Sequence, residues 1–485
     1  MKFYITTAIP YVNAKPHVGH ALEFVQADVV ARYHKIIGDD VLLLSGSDEN
    51  ALKNVRAAED EKTPVQEFVN RNSKLFINLA KQLNVQFDIF QKGSDPRHIT
   101  SSQKLWELCM KNGDIYKKSY TGLYCVGCEQ FYTRDELDEN GECYEHPGRK
   151  LEEVSEENYF FKLSKYQKQI ENLLTLGTIA ITPESRRNEA LAFVKKGLSD
   201  ISISRSNERA KNWGVSVPND PLQKMYVWFD ALNIYQSGVG FGIDEEKYKK
   251  WWPADMHVIG KGILRFHAIY WPAFLISAGL PLPKSIFVHG YFTVDGQKMS
   301  KTLGNVIDPI DLINKYGADA LRYFFLKEMP PTADGDFSER RLKEVYNADL
   351  ANGLGNLVAR VAKLCESSNF VNMGSKERVS GHIVDVQGYS DAMDNYKFNE
   401  ALGFVREKIA HADKFIDAEK PWELLKSPSH SGSEKLREAL EHLVDRIQEI
   451  AALLEPFMPQ TAKKIEEQYK APTITAQKPL FPRME

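Results

Sequence analysis

Two histidines near the amino terminus stand where a sequence can bind phosphate. His17 and His20 flank Val18-Gly19, after an apolar run at residues 3–9 that predicts a strand. The residues that follow are apolar at helical spacing, so we expect residues 17–20 to open a helix. There, two imidazoles add N–H donors to the free backbone amides of the first turn, and Gly19 lets a nucleotide approach the backbone. The alternative is two incidental histidines beside a turn.

A second candidate phosphate-binding segment, Lys298-Met299-Ser300-Lys301-Thr302, lies far downstream. It follows a strand-like run at residues 285–292 and a turn at Asp295-Gly296. Two lysines on a loop suit a polyanion, although ordinary surface lysines give the same pattern. The two segments together favour a nucleotide site, because their accidental co-occurrence in this order is improbable.

Four residues of metal-binding type cluster in the first third of the chain. They are Cys125, Cys128, Cys143 and His146, in C-x2-C spacing, a fourteen-residue spacer and C-x2-H spacing. This pattern is typical of a tetrahedral structural zinc site. The polar spacer cannot bury a core, so the metal would supply the folding energy, about 10–16 kcal/mol in model peptides. The sequence therefore predicts one structural Zn²⁺, with reduced, unligated cysteines as the alternative.

The elements around these motifs alternate between strand and helix patterns up to residue 115, which predicts βαβ units and a parallel sheet. The pattern lapses over residues 116–221 and returns at residues 225–230 and 256–260, so an insertion splits the sheet. Helical patterns are expected over residues 65–82 and 263–278. From residue 339 onward only helical patterns occur, with a flexible connection expected at residues 427–433. We predict an α/β fold: a Rossmann-like parallel sheet split by a zinc-bearing insertion and followed by an all-α bundle. Its expected segments are residues 1–115, 116–221, 222–338 and 339–485.

Asp48 follows the second predicted strand, at the edge where open α/β sheets bind ligands. Its carboxylate could hold an ammonium group. Position alone equally allows Asp48 to be a helix N-cap ahead of Ala51.

Composition restricts the class of protein. With 485 residues, two or three domains are expected, and 43% hydrophobic with 26% charged residues is typical of a soluble globular protein. The net charge of −4 provides no global positive field, so any RNA contact must come from local patches. No apolar secretory segment opens the chain, and residues 268–282 are too short and proline-interrupted to span a membrane. We therefore expect an intracellular, cytoplasmic protein.

The HVGH and KMSKT segments resemble the two signatures of class I aminoacyl-tRNA synthetases. Within that class, the sequence from residue 2 to residue 469 resembles the methionyl-tRNA synthetases. The resemblance is carried by the cysteine–histidine cluster and by the motifs Ala8-Ile9-Pro10-Tyr11, Gly46-Ser47-Asp48, Tyr226-Val227-Trp228-Phe229-Asp230-Ala231, Leu264-Arg265-Phe266-His267 and Lys420-Pro421-Trp422. It implies a monomeric methionine–tRNA ligase that forms methionyl-adenylate from methionine and ATP and then esterifies tRNA(Met).

The same resemblance assigns site residues. It implies that Asp48 binds the α-ammonium and that the methionine pocket is lined by Ile9, Tyr11, Trp228, Ala231, Leu232, Tyr235, Ile263, Phe266 and His267. ATP, arriving with Mg²⁺, would be bound by His17, Gly19, His20, Lys298, Ser300 and Lys301, of which the two histidines and two lysines are catalytic. The CAU anticodon would be bound by Asn356, Arg360 and Trp422 in the helical segment.

Two positions depart from the family pattern. Gly262 stands where an acidic residue is usual, so a contact at the rim of the pocket is missing or is supplied by another residue. Leu232-Asn233 replaces a proline-containing pair, which leaves the exact shape of the pocket undetermined by the sequence. The alternatives are another class I synthetase, a non-catalytic tRNA-binding paralogue, or a zinc-stabilised nucleotidyltransferase acting on a small substrate. Intact HVGH and KMSKT segments argue against the paralogue.

Overall fold

The structure is a computed structural model. It describes residues 1–127, 130–132, 134–144, 148–299, 305–372, 388–426 and 430–485, and of residues 130, 135 and 298 only the backbone. Within these ranges no helix is long and apolar enough to cross a membrane.

The amino-terminal part alternates strands and helices, as the apolar periodicity predicts. The helix that begins after His17 is buried on most of its faces, because it packs between the sheet and later helices. The elements are β1 (Lys2–Thr6), α1 (Val18–Ile36), β2 (Asp40–Ser47), α2 (Leu52–Asp60), α3 (Val65–Gln82), β3 (Ile89–Lys92) and α4 (Pro96–Lys111).

A mostly antiparallel segment follows. Its elements are β4 (Ile115–Cys125), β5 (Gln130–Tyr132), β6 (Glu152–Phe161), α5 (Gln167–Leu176), β7 (Ala180–Thr182), α6 (Glu184–Lys195), β8 (Ile201–Ser202), β9 (Ser204–Ser206), β10 (Ser216–Val217) and β11 (Asp220–Met225). The long strands β4 and β6 pair antiparallel and form the centre of a four-stranded sheet with β5 and β8. The short strand β7 instead joins the central parallel sheet, as its edge.

The next part contains two further strands of the central sheet and precedes the helical carboxyl-terminal region. Its elements are α7 (Val227–Ala231), α8 (Ile234–Ser237), α9 (Glu245–Trp251), β12 (Met256–Gly260), α10 (Trp271–Ala278), β13 (Ser285–His289), β14 (Phe292–Val294), β15 (Gln297–Lys298), α11 (Pro309–Tyr316), α12 (Ala318–Glu328) and β16 (Gly335–Phe337). A single π-helical turn, Phe266–Tyr270, precedes α10.

Two local predictions are wrong in this part. Residues 225–230, predicted as a strand, are the end of β11 followed by α7. The prediction failed because all six residues are buried, so their pattern has no period that would distinguish a strand from a helix. The single helix predicted over residues 263–278 is a 3₁₀ turn, a π turn and α10.

The rest of the described chain is helical. Its helices are α13 (Glu339–Val345), α14 (Asn356–Ser367), α15 (Tyr389–Asp394), α16 (Phe398–Glu419), α17 (Pro421–Leu424), α18 (His430–Leu454) and α19 (Pro459–Lys470), with a π-helical segment Tyr346–Gly355 between the first two. The flexible connection expected at residues 427–433 is wrong for residues 430–433, which open α18.

The central sheet is parallel, in the order β3-β2-β1-β12-β13-β7. Side chains that alternate along each strand enter two separate hydrophobic cores. On one face Ile5 and Val258 pack with α1, α12 and the helical bundle, and on the other Tyr4 and Ile259 pack with α4, α8 and α10. The strands β1 and β12 are neighbours in the sheet, and the chain continues from β1 to β2 on one side and from β12 to β13 on the other. In open α/β sheets a ligand binds at such a point, in the crevice at the carboxyl ends of the two strands.

Candidate functional site

The histidines of the HVGH segment form the start of α1. His17 is the N-cap, its Nδ1 accepts from the Gly19 N–H at 3.1 Å, and His20 Nδ1 accepts from the His17 N–H at 3.2 Å. The two rings lie 4.0 Å apart between centroids. Because both Nδ1 atoms accept hydrogen bonds, each neutral ring carries its proton on Nε2. The imidazoles are thus fixed as Nε2–H donors.

The expectation of free backbone amides at this turn is wrong. The N–H of Val18 donates to the Ile307 carbonyl at 3.3 Å, that of Gly19 to His17, and that of His20 to the His17 carbonyl at 3.0 Å. The capping box consumes the donors that a helix end otherwise offers to an anion. This turn therefore presents to an anion the imidazole N–H groups and the helix dipole rather than free backbone amides.

Burial, followed by the neighbouring charges of His17 and His289, lowers the pKa of His20 well below its usual value. His20 is therefore neutral at physiological pH.

A buried ion pair that the sequence motifs did not reveal lies next to these histidines. Glu23 of α1 contacts His289 at the end of β13, with Oε2 and Nε2 2.9 Å apart, and its Oε1 accepts from the Ala8 N–H at 2.9 Å. His289 Nδ1 also lies 2.7 Å from the Gly290 carbonyl. The pair therefore connects α1 to the ends of β1 and β13. The only sequence signal was a glutamate six residues after the first histidine, which helical spacing alone does not relate to His289.

The KMSKT segment is described only in part. The backbone of Lys298 lies in β15, which pairs with β14 across a turn at Asp295-Gly296, both residues of which have positive φ. This matches the predicted hairpin turn. Ser300 and Lys301 lie outside the described residues, as does the side chain of Lys298.

Asp48 lies at the carboxyl end of β2, beside Tyr11, and is 3% exposed. Its N–H donates to the Pro10 carbonyl at 2.9 Å, and its carbonyl accepts from the Asn54 side chain at 2.8 Å. It does not cap α2, whose N-cap is Ala51. The alternative role that position allowed is therefore wrong, and Asp48 Oδ1 accepts from the Asn50 N–H at 3.3 Å instead.

Aromatic side chains from three segments meet beside Asp48. Trp228 stacks on Phe266 with 3.7 Å between centroids and an interplanar angle of 4°. Tyr11 meets the Trp228 ring edge-on at 6.3 Å, and His267 meets it at 6.4 Å. Tyr235 lies against His267 at 5.6 Å. The structure thus brings these five predicted residues into one wall.

The remaining predicted residues of this wall are placed less directly. Ile9 and Ile263 are partly buried against the same hydrophobic core, which also contains Leu232. Ala231 is buried in α7.

A hydrogen bond fixes the polar side of the wall. Tyr235 Oη lies 2.8 Å from His267 Nε2, and His267 Nδ1 lies 2.9 Å from the Ile263 carbonyl. Since a carbonyl only accepts, Nδ1 carries the proton and Nε2 accepts from the tyrosine. Burial lowers the pKa of His267 to about 4 and raises that of Tyr235 well above its usual value. Both groups are therefore neutral, as an uncharged ligand requires.

Beneath the wall lies a second polar cluster that sequence reasoning missed. Asp230 Oδ1 accepts from His98 Nε2 at 2.7 Å and from the Ser102 hydroxyl at 3.0 Å, and its Oδ2 accepts from the Asn50 side chain at 2.6 Å. His98 and Ser102 lie one turn apart on α4 and Asn50 follows β2, all far from Asp230 in the chain, so no local spacing relates the donors to their acceptor. The cluster ties α7, which carries Trp228, to α4 and to the loop after Asp48.

Two of the four predicted metal ligands are described. The sulfurs of Cys125 and Cys143 lie 3.4 Å apart, too far for a disulfide, and both residues are buried. Two thiolates on a tetrahedral zinc lie about 3.8 Å apart, given Zn–S distances of about 2.3 Å, so the pair fits such a site. Cys128 and His146 lie outside the described residues. Among those that are described, no group of three or more potential ligands is placed to hold a metal.

Comparison with known proteins identifies the family. A family model described as "tRNA synthetases class I (M)" matches residues 3–362, and one described as "Anticodon-binding domain of tRNA ligase" matches residues 385–485. The methionine–tRNA ligase of Nostoc sp. is 42% identical over 479 residues, covering 96% of this chain and 89% of the relative. That of Brucella melitensis is 40% identical over 483 residues, covering 97% and 92%.

A solved structure agrees with these relatives. Mycobacterium tuberculosis methionyl-tRNA synthetase in complex with methionyl-adenylate matches with a TM-score of 0.91 at 36% identity, covering 100% of both chains. The chain belongs to the methionyl-tRNA synthetase family. It is a class I aminoacyl-tRNA synthetase, a methionine–tRNA ligase, with a parallel-sheet synthetase domain and a helical carboxyl-terminal anticodon-binding domain. The alternatives of another class I synthetase and of a non-catalytic tRNA-binding paralogue are not favoured.

In this family context the three residues predicted to bind the anticodon lie on the bundle surface. Asn356 and Arg360 are one helical turn apart on α14, and Trp422, 37% exposed, lies on α17. Arg360 contacts Asp417 of α16 at 3.1 Å, five residues before Trp422. The surface is therefore an open patch around the end of α16, which we call the bundle patch (Asn356, Arg360 and Trp422).

Proposed function

We propose that the chain activates methionine with ATP to give methionyl-adenylate and pyrophosphate, and then transfers methionine to the 3′ end of tRNA(Met). The observation that carries this proposal is the aromatic wall of Tyr11, Trp228, Tyr235, Phe266 and His267 beside the Asp48 carboxylate. We call these six residues the methionine pocket. A thioether has no charge and only a weak acceptor, so shape and sulfur–aromatic contact must recognise it.

The pocket orients the substrate by its charged end. Asp48, 3% exposed, is the carboxylate that pairs with the α-ammonium. The thioether packs against the aromatic wall, whose neutral Tyr235 and His267 offer a charged side chain no partner. The methionine carboxylate is then directed towards the start of α1.

In the first step a methionine carboxylate oxygen attacks the α-phosphorus of ATP. The new P–O bond forms as the bond to the pyrophosphate oxygen breaks, and pyrophosphate leaves with that electron pair. His17 and His20 donate through Nε2–H to the phosphate oxygens, and Lys298, Ser300 and Lys301 act on the departing side, with Mg²⁺ arriving on the nucleotide. Positioning and neutralisation of developing charge supply the rate, since no covalent enzyme intermediate is needed.

In the second step a terminal ribose hydroxyl of tRNA attacks the activated carbonyl and AMP leaves. The support is the anticodon-binding family match over residues 385–485 and the bundle patch, which offers a stacking surface and edge hydrogen-bond donors. We infer that these residues read the CAU anticodon.

The test is methionine-dependent ATP–pyrophosphate exchange without tRNA, run in parallel with cysteine, isoleucine, leucine and valine. We expect exchange with methionine alone. Exchange with another amino acid would keep the class and overturn the pocket assignment. Absence of exchange with all five would overturn the activation step.

We also propose that Cys125, Cys128, Cys143 and His146 hold one structural zinc in the segment 116–221. The support is the separation and burial of the Cys125 and Cys143 sulfurs. When bound, the metal supplies folding energy to a loop that has little core of its own. Elemental analysis of the purified chain is expected to give one zinc per chain, reduced in a Cys143→Ser variant.

A further inference from the structure

A lysine that no sequence motif indicated lies between the methionine pocket and the predicted zinc ligands. Lys53 is the second residue of α2 and is partly buried. Its Nζ lies 3.0 Å from the centroid of the Tyr11 ring and donates to the Gly127 carbonyl at 3.3 Å. Gly127 stands between Cys125 and Cys128. One ammonium group therefore contacts both a ring of the methionine pocket and the backbone between two predicted zinc ligands.

The first turn of a helix is an unfavourable place for a cation. The positive end of the helix dipole lies there, so it repels the Lys53 ammonium, and the N-cap residue Ala51 makes no side-chain cap. The negative face of an aromatic ring and a carbonyl oxygen both attract an ammonium group, and Lys53 contacts one of each. The side-chain contacts of Lys53 thus stabilise a charge that the backbone of α2 does not.

The ammonium contact also restricts the orientation of the Tyr11 ring. A cation is attracted to the face of a ring, so the ring plane turns towards Nζ. The backbone of Tyr11 is already fixed, because it bridges to Asp48 at the end of β2. In this orientation the ring lies at 87° to that of Trp228, with 6.3 Å between centroids. Lys53 thereby acts on the geometry of the wall without belonging to it.

The face of α2 that carries Lys53 is docked on the insertion at two further points. Arg56, one turn later, donates to Glu152 Oε1 of β6 at 3.0 Å. Glu59, another turn on, accepts from Lys211. Among the contacts that the described residues of this face make with the insertion, that of Lys53 is the one shared with a ring of the methionine pocket.

We propose that Lys53 is a positioning residue for methionine binding. Anchored on the Gly127 carbonyl, its ammonium group holds the Tyr11 ring in the wall, so that order in the cysteine–histidine segment (residues 125–146) sets the affinity for methionine. This rests on the proposed methionine pocket and on the proposed zinc site. Zinc, when bound, orders the backbone that presents the Gly127 carbonyl. Removal of the ammonium group releases the ring and the carbonyl together.

Lys53→Met tests this role, because the new side chain has a similar length but neither charge nor donor. We expect the Kd for free methionine, measured by calorimetry without ATP, and the KM for methionine in exchange to rise about threefold to thirtyfold. The kcat and the KM for ATP should change less than about twofold, since a contact that only orders the binding site acts on binding. Lys53→Arg keeps a cation and a donor and should recover most of the affinity.

Two outcomes separate this inference from the function on which it rests. If the wild type binds methionine and Lys53→Met leaves the Kd unchanged or lowers it, the positioning role is wrong and the pocket stands. If the wild type does not bind methionine, the proposed pocket is overturned and the role of Lys53 with it.

Arg56→Met is the matched control. It removes a cation from the same face of α2 and breaks a contact with the insertion, but its partner Glu152 lies on β6 rather than in the pocket. The Kd for methionine should stay at the wild-type value. Equal weakening by Arg56→Met and Lys53→Met would assign the effect to the docking of α2 as a whole and would contradict the proposal.

Double variants test the link to the cysteine–histidine segment. Cys143→Ser is expected to lower the zinc content and to raise the Kd for methionine, and to raise it by less than about twofold when Lys53→Met is already present. A second cycle leaves the metal ligands intact: once Tyr11→Leu has removed the ring, Lys53→Met should weaken binding no further. Additive losses in either cycle would show that Lys53 does not connect the two regions.

Discussion

The methionine pocket and the bundle patch, as proposed, contain similar residue types that are placed in opposite environments. In the pocket, Trp228 is 7% exposed and stacked on Phe266, and its helix is tied down by the buried Asp230 cluster. In the patch, Trp422 is 37% exposed on a helix of four residues, and the described ion-pair partners of Arg360 are the carboxylates of Asp413 and Asp417. One tryptophan is fixed by protein, whereas the other presents a face to solvent.

The difference follows from the ligands. A small apolar side chain offers few contacts, so the protein must order its own rings in advance and leave little conformational entropy to be lost on binding. An RNA base carries its own stacking face and polar edge, so an exposed ring and a guanidinium are enough. Burial raises the pKa of Asp413 against the effect of Arg360, and the nearby Asp417 raises it further. The comparison predicts where substitutions affect stability and where they affect only recognition.

The largest stability effect is expected for Asp230→Ala. Removal of this carboxylate leaves the buried His98 Nε2, the Ser102 hydroxyl and the Asn50 amide without their acceptor. We expect the free energy of unfolding to fall by about 3–5 kcal/mol, the cost of breaking a buried charged network. Urea titration followed by circular dichroism measures this change.

Asp417→Ala is the matched control for that substitution. Its carboxylate is 67% exposed and pairs with Arg360 on the bundle surface. Exposed pairs contribute about 0–1 kcal/mol, so the free energy of unfolding should hardly change. If Asp230→Ala and Asp417→Ala lowered the free energy of unfolding by equal amounts, the proposed difference between the two regions would be wrong.

A somewhat smaller change in the free energy of unfolding is expected when the pH is lowered, because of His267 in the methionine pocket. Burial lowers the pKa of His267 to about 4 in the folded state, whereas an unfolded chain binds a proton near pH 6.5. The unfolded state therefore holds more protons between these values, and the free energy of unfolding falls as pH falls from about 6.5 to 4, by at most about 3 kcal/mol.

Urea titrations across this pH range, in the wild type and in His267→Asn, measure that contribution. The variant should show a shallower pH dependence between pH 6.5 and 4. His430→Asn, at the exposed start of α18, should keep the wild-type dependence. A wild-type slope that survives in His267→Asn would mean that the imidazole is already protonated or solvated in the folded chain.

Local pattern was enough to predict the architecture. The boundaries of α3 and β12 agree with the predicted ranges, because their apolar residues repeat with a clear period and their ends are marked. The prediction of a strand at residues 225–230 failed because every residue there is buried, which removes the periodic signal. Tertiary packing, not local preference, makes that segment a helix.

The candidate site was predictable only as far as its motifs reach. The rings of Trp228, Phe266 and His267 lie together, as the resemblance to the family implied. The pairs Glu23–His289 and Asp230–His98 join residues more than a hundred positions apart, so no spacing in the sequence could relate them. The occupied amide of Val18 was missed for the same reason, since its acceptor is Ile307, whereas the amides of Gly19 and His20 are bound by the adjacent His17.

The smallest expected effect concerns the bundle patch. Trp422→Ala should leave the free energy of unfolding nearly unchanged, because the ring is 37% exposed. Loss of one stacked base contact is worth about 1–3 kcal/mol, so kcat/KM for charging tRNA(Met) should fall about fivefold to a hundredfold. Methionine-dependent exchange without tRNA should remain at the wild-type rate.

An altered tRNA separates recognition of the anticodon from a general loss of RNA binding. The wild type should charge a tRNA with a changed anticodon base poorly, and Trp422→Ala should discriminate less between that tRNA and the one with CAU. If Trp422 only packs against α16, the variant would charge both tRNAs as the wild type does, or lose both equally. Suppose that Trp422→Ala narrows the ratio between charging of the CAU tRNA and charging of the altered tRNA, while the rate of exchange stays unchanged. The exposed ring must then act on the RNA, at a distance from the buried rings of the methionine pocket.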